Sequence, residues 1–239
     1  MLIDAVVLAG GRSARLGSVA KATLTVGGRD LLELTVSAAL SVSRRCVVVG
    51  PIDPAELDRV APGGRATRDT ALDDTALDDT VQVDTVLVDT VLVTREEPPF
   101  AGPAAALEAG VRELAAAGAP LGDAVLVLAC DMPAIERQLP VLVAALDAAE
   151  EGVDGAITVD ASGRRQPLAC LYRSRALADA LARFSPGELV GRSMRDLIER
   201  LDLLPVAELS SATDDVDTWE DAARLGATIP TREMKEGAR

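Results

Sequence analysis

Three cations and a hydroxyl crowd behind a glycine pair near the start of this chain: Arg12, Ser13, Arg15 and Lys21 follow Gly10 and Gly11 in the segment LAGGRSARLGSVAK. Paired glycines let the backbone turn sharply and approach a ligand without Cβ interference, leaving N–H groups exposed to an anion. Fixed positive charges beside such a turn suit a triphosphate. A glycine pair alone is more often an ordinary strand-to-helix turn, and it is the cations and hydroxyl packed behind it that favour phosphate. The second group of candidates is acidic. Asp131 stands just beyond the apolar run at 124–129, after Cys130, and Asp215 and Asp217 stand near the C-terminus. Aspartates beyond strand ends bind Mg²⁺ together with water and substrate phosphates. The competing reading is plain capping, of the next turn by Asp131 and of a helix by Asp217.

The chain contains no histidine. That excludes Ser-His-Asp and Cys-His nucleophilic machinery and any His-based metal site. Phosphoryl or nucleotidyl transfer suits the remaining inventory, because it rests on positioning and on neutralising charge.

The elements that must position these groups read as an α/β alternation. The apolar run before Gly10 predicts a buried strand, residues 30–42 a helix with Asp30 as N-cap, and residues 46–49 a second buried strand stopped by Gly50-Pro51. A short helix is expected at 54–60. Pro103 suits the first turn of a helix running to about 117, and residues 124–129 form the most hydrophobic strand candidate. A helix at 139–150 follows, then strands at 155–159 and 167–172 whose short connection demands antiparallel pairing. Helices at 174–184 and 193–201, a strand at 203–206, and an acidic loop entering a helix with Asp217 or Thr218 as its cap complete the pattern. Such an order builds a doubly wound sheet, in which ligands bind beyond the carboxyl ends of the strands. The glycine loop, Asp131 and the Asp215/Asp217 pair all fall at such ends.

The 239 residues are expected to form a single domain over 1–229, with a low-complexity insert at about 68–90 and a flexible tail at 230–239. In the insert Asp-Thr recurs every five residues from Asp69 to Asp89, and its seven aspartates supply half of the net charge of −14. A pentapeptide β-helix, an acidic interaction segment and a solvated expansion compete for it; the last is favoured because the first half holds few apolar residues to offset ordering entropy. Its end, at 86–94, reads as a strand. The net charge argues against binding to nucleic acid or to anionic membranes. Cys46, Cys130 and Cys170 are odd in number and set in apolar runs, which reads as core. With neither a leader pattern nor a long apolar stretch, a cytoplasmic location is expected.

The glycine loop is neither a Walker A loop nor a GxGxxG fingerprint. It resembles the LAGGxSxRxG signature, followed by a lysine, of nucleotide-sugar-type nucleotidyltransferases. Taken with DMP at 131–133, PPFAGPAAAL at 98–107, RQPL at 165–168 and DVDTWEDA at 215–222, the chain resembles the molybdenum cofactor guanylyltransferases, a MobA-like NTP transferase family. The resemblance covers nearly the whole chain apart from the repeat and the tail.

What the resemblance implies is a three-layer, Rossmann-like α/β fold of the nucleotide-diphospho-sugar transferase type, its sheet mostly parallel with an antiparallel strand. It implies Mg²⁺, GTP and molybdopterin or the molybdenum cofactor as cofactor and substrates, with molybdenum cofactor biosynthesis proteins as partners. Leu8, Ala9, Gly10 and Gly11 would wrap base and ribose; Arg12, Ser13, Arg15 and Lys21 would hold the triphosphate, with Arg15, Lys21 and Asp131 catalytic. Glu97 would help read the base ahead of the Gly102-Pro103 loop. Gln166, Pro167, Asp215 and Asp217 would face the acceptor, and Asp131 and Asp217 would bind the metal. Ala20 stands where the family usually has Asp, and Gly50 where a polar residue often follows the second strand. The rivals are a cytidylyltransferase or sugar-phosphate nucleotidyltransferase of the same fold, and a weakly active nucleotide-binding scaffold.

Overall fold

Strands that are apolar on both faces need cover on both, and the central ones here alternate between two cores. In β1 (Ile3–Leu8), Ala5 and Val7 point into one core while Val6 and Leu8 point into the other. The same alternation runs through β4 (Arg45–Val49) and β6 (Ala124–Ala129). The computed structural model describes residues 1–10, 24–52 and 90–228. The expected helix at 54–60, the repeat from Asp69 to Asp89, the segment from Gly11 to Lys21 and the tail lie outside the described residues.

The main sheet has the order β5-β4-β1-β6-β8-β7-β9, where β5 is Thr90–Thr94, β7 Gly155–Val159, β8 Arg165–Arg173 and β9 Leu203–Ala207. All neighbouring pairs are parallel except those of β8, which runs against both β6 and β7. This is the expected mostly parallel sheet with one antiparallel strand. Helices α1 (Leu31–Leu40) and α3 (Leu139–Asp147) cover one face through Leu32, Val36, Leu142 and Leu146. Helices α2 (Pro103–Ala116), α4 (Ser174–Leu181) and α5 (Met194–Ile198) cover the other through Leu107, Leu114, Leu177 and Leu197. No helix among the described residues is long and apolar enough to cross a membrane.

Several helices end earlier than their composition suggests. Apolar content continues past Leu181 and Ile198, yet the chain turns there to pack Phe184 and Leu201 against the second core from outside the helix. Asp30 occupies the N-cap position of α1 but its side chain makes no capping bond. Its backbone belongs to a small second sheet, β10-β2-β3 (Ala227–Thr228, Thr25–Val26 and Arg29–Asp30), which no sequence period announces. The three cysteines are buried and form no disulfide among the described residues, and burial pushes the Cys46 thiol up to about 12, as expected of core residues.

Candidate active site

The carboxyl ends of β1, β4, β5 and β6 are stitched into one edge. Leu8 accepts the N–H of Cys130 at 3.1 Å, Val49 accepts that of Ala9 at 2.9 Å, and Thr94 accepts that of Gly50 at 3.0 Å. Gly50 has φ +155°, and a Cβ there would meet the Ala9 carbonyl carbon at 2.9 Å and the Gly10 nitrogen at 3.0 Å. The Ala9-Gly10 turn therefore has its position set by a residue without a side chain.

Beyond β5 the two neighbouring glutamates separate. Glu97, the expected base-reading acid, is exposed, whereas Glu96 is buried. Glu96 Oε1 accepts the Phe100 N–H at 3.0 Å and would lie 3.7 Å from a Cβ on Gly10. The sequence reading missed Glu96. An acid pair after a strand does not say which member turns inward. Gly102, with φ +97°, turns the chain into α2, where Pro103 takes the first-turn position.

Asp131 stands beyond the end of β6, after Cys130, and the chain from Asp215 to Asp217 is tied to it by the Val216 N–H, which donates to the Asp131 carbonyl at 3.1 Å. Val216 is fully buried in a small core with Leu24, Leu31, Ala222 and Ala227, and this anchors the loop between the two aspartates. Helix α6 (Trp219–Leu225) is capped by Thr218, whose hydroxyl accepts the Asp221 N–H at 3.1 Å. Asp217 is thus not the cap, and the ordinary capping reading of that residue falls away. Arg224 pairs with Asp214 and Asp221, holding the helix to the loop before it. Carboxylate oxygens of Asp131, Asp215 and Asp217 all lie within 4.8 Å of one another.

That donor set fits a divalent cation. Oxygens bound to one ion at about 2.1 Å sit at most about 4.2 Å apart, so a small rotation of the side chains brings the three together. Carboxylates select hard ions such as Mg²⁺ or Mn²⁺.

A cleft of about 650 Å³ opens beside the acids, with Asp131 and Asp215 in its wall. Its other side comes from the β7–β8 hairpin, including Arg164, Gln166 and Pro167, and from α5, through Arg195. A bulge shapes that hairpin. Ile157 pairs with Cys170 but Thr158 pairs with Gln166, where an uninterrupted ladder would set Thr158 opposite Ala169. The extra residues carry Pro167 and Leu168 into the cleft wall, while the buried Tyr172 hydroxyl donates to the Pro167 carbonyl at 2.9 Å across the bulge. Leu8, Ala9, Gly10, Asp131, Asp215, Asp217, Gln166 and Pro167 thus lie at or beside one sheet edge. The expected phosphate-binding residues Gly11, Arg12, Ser13, Arg15 and Lys21 are outside the described residues.

A mostly parallel sheet with one reversed strand, covered by helices on both faces and carrying an acidic cluster at its carboxyl edge, is the architecture of nucleotidyltransferases. Residues 5–205 match the MobA-like NTP transferase domain, and the chain belongs to that family. Solved structures share the fold across almost their full lengths. Molybdopterin-guanine dinucleotide biosynthesis protein A from Archaeoglobus fulgidus is 17% identical with a TM-score of 0.56, over 93% of this chain and 96% of its own. Rv0371c from Mycobacterium tuberculosis H37Rv, in a complex with manganese, is 20% identical with a TM-score of 0.57, over 94% and 97%. The 4-diphosphocytidyl-2C-methyl-D-erythritol synthase from Anaerococcus prevotii is 14% identical with a TM-score of 0.58, over 94% and 96%. At these identities the likeness is one of fold. No curated protein matches the chain in sequence.

Proposed function

We propose that this nucleotidyltransferase moves GMP from GTP to the terminal phosphate of molybdopterin, or of its molybdenum-loaded form, and releases pyrophosphate. The observation that carries the reading is the convergence of Asp131, Asp215 and Asp217 at the mouth of a cleft beside the glycine turn. Those carboxylates would hold Mg²⁺, which supplies charge neutralisation at the phosphates. Leu8 to Gly11 and the buried Glu96 face the nucleoside. Arg12 and Ser13 hold the triphosphate, while Lys21 and Arg15 draw the departing pyrophosphate.

In the transfer, an acceptor phosphate oxygen forms a bond to the α-phosphorus, and the bridging bond to the β-phosphate breaks with its electron pair leaving on pyrophosphate. A phosphate monoester is largely ionised at pH 7, so no general base is needed and the lack of histidine is no handicap. In this reading the enzyme is a single catalytic domain working beside other molybdenum cofactor biosynthesis proteins in the cytoplasm, a compartment where cysteines stay out of disulfides.

The test is pyrophosphate release with each NTP, with and without molybdopterin. GTP with molybdopterin is expected to give turnover, and Asp131→Asn to lower it by about a thousandfold while leaving the thermal midpoint near that of wild type. Preference for CTP, or turnover only with another phosphate monoester, moves the assignment to a different enzyme of this fold; tight GTP binding without turnover turns it into a scaffold. Trp219 is the sole tryptophan, next but one to Asp217, so Mn²⁺ quenching of its fluorescence reads metal binding independently of turnover. Unchanged quenching in Asp217→Asn would remove that residue from the metal site.

A further inference from the structure

Gln166 lines the cleft with a side chain whose two ends are chemically opposite, and one end is already engaged: Nε2 donates to Asp160 Oδ2 at 2.8 Å. An ionised carboxylate offers only acceptors, so this contact fixes which way round the amide stands. The other end, Oε1, has no hydrogen-bonding partner among the described residues. Asp160 is itself held firmly. Its Oδ1 accepts the Ser162 hydroxyl at 2.6 Å, the Ser162 N–H at 2.9 Å and the Arg164 N–H at 3.0 Å. Backbone bonds from Asp160 N–H to the Arg164 carbonyl at 3.0 Å and from Gly163 N–H to the Asp160 carbonyl at 2.9 Å close the same loop. The Ser162 hydroxyl, then the Arg164 N–H, draw the Asp160 carboxyl down to about 2, so it is an acceptor at every working pH.

We propose that Asp160 is a positioning residue that sets the polarity of the acceptor cleft: by holding Gln166 Nε2 it presents Oε1 as a hydrogen-bond acceptor, which selects a substrate carrying an N–H or O–H donor at that point. The substrate class is a phosphate monoester whose far end bears such a donor, for instance an amino-substituted heterocycle. This rests on the reading that the cleft takes the acceptor. It goes beyond that reading in assigning Asp160 a role and Gln166 a direction.

The polarity can be inverted and restored. Asp160→Asn keeps an oxygen for the hairpin N–H groups but offers Gln166 an amide N–H, so Gln166 turns its own NH₂ to the cleft. Gln166→Glu sets carboxylate against carboxylate and breaks the contact. In the double variant D160N/Q166E, the introduced amide donates to the introduced carboxylate, and an oxygen again faces the cleft. Initial rates are measured against molybdopterin at saturating GTP and Mg²⁺, with thermal melts to check folding. Each single variant is expected to raise the molybdopterin KM about tenfold, the loss of roughly one hydrogen bond. The double variant should return it to within about threefold of wild type, and the KM for GTP should stay constant throughout.

A double variant as impaired as the singles, or a GTP KM that moves with the molybdopterin KM, overturns the proposal and leaves the hairpin a structural role only. If wild-type protein makes no product with molybdopterin, the acceptor assignment falls separately. The same four proteins are then compared on whichever of methylerythritol phosphate, a sugar 1-phosphate or a nucleoside monophosphate supports pyrophosphate release, and the same pattern decides. Absence of acceptor-dependent release with all of them overturns both.

Discussion

Adjacent glutamates after β5 have opposite fates. Glu96 is 7% exposed and faces Gly10, while Glu97 points to solvent. Oε1 of Glu96 accepts the Phe100 N–H, which orients the carboxylate; on the proposed nucleotide reading its second oxygen would accept a ligand's N–H. Glu96→Gln is therefore expected to raise the KM for GTP about tenfold at saturating acceptor, because the amide keeps the Phe100 bond but replaces the second oxygen. Glu97→Gln should leave it near wild type. Equal effects from the two substitutions would take Glu96 off the base side of the site. The acidic cluster obeys the same residue-level logic, since Thr218 takes the capping task and leaves Asp217 to the cluster.

At the scale of elements, the glycine turn after β1 is only as well placed as the strand ends around it. At Gly50, just past the end of β4, the space a Cβ needs is taken by the Ala9-Gly10 backbone. Gly50→Ala must either push that turn aside or strain its own φ of +155°. The expected cost is about 1–3 kcal/mol, read as a lower thermal midpoint together with weaker GTP binding. A lower midpoint with unchanged GTP affinity would show that the turn does not transmit the clash to the site. The small sheet ties two distant parts of the chain together. Thr25 and Thr228 hydrogen-bond at 3.0 Å, so the chain just beyond α6 is fixed to the segment that leads into α1.

Across the whole molecule, the end of the sheet opposite the cleft is held by a buried charge cluster. Asp4, in β1, is fully buried. It accepts the Nε of Arg44 and that of Arg45, each at 2.9 Å, and the Gly122 N–H at 2.8 Å. Burial pushes its carboxyl up, but the bonds from Arg45, Arg44 and Gly122 together outweigh burial and leave it below its ordinary 3.8. A carboxyl depressed by folding stabilises the protein fully above its unfolded pKa, and that contribution is lost as pH falls through the folded value. Asp4→Ala strands two arginines beside a dry strand and is expected to cost about 3 kcal/mol or more at neutral pH. The gap between variant and wild type should close as pH falls below the ordinary 3.8 of the carboxyl. Denaturant titrations at several pH values test this, and a gap that is constant down to acid would show that the carboxylate charge contributes nothing.

Sequence alone located the strands of the main sheet, because a buried strand in a covered sheet is rich in apolar residues; the run at 124–129 coincides with β6 throughout. It also placed Asp131 beyond that strand, and it placed the order of motifs that marks the family. Tertiary structure decided what depends on neighbours distant in the chain. The two-residue strands of the small sheet are too short to leave a period, and β10 pairs with β2 from about two hundred positions away. Asp215 and Asp217 reach Asp131 because Val216 between them is buried against residues from the other end of the chain. Glu96 was separated from Glu97, and the orientation of Gln166 was fixed, only by where Gly10, Phe100 and Asp160 came to stand. Hydrophobic periodicity reports which residues are buried; which way a polar group faces is set by the particular atoms that fold against it.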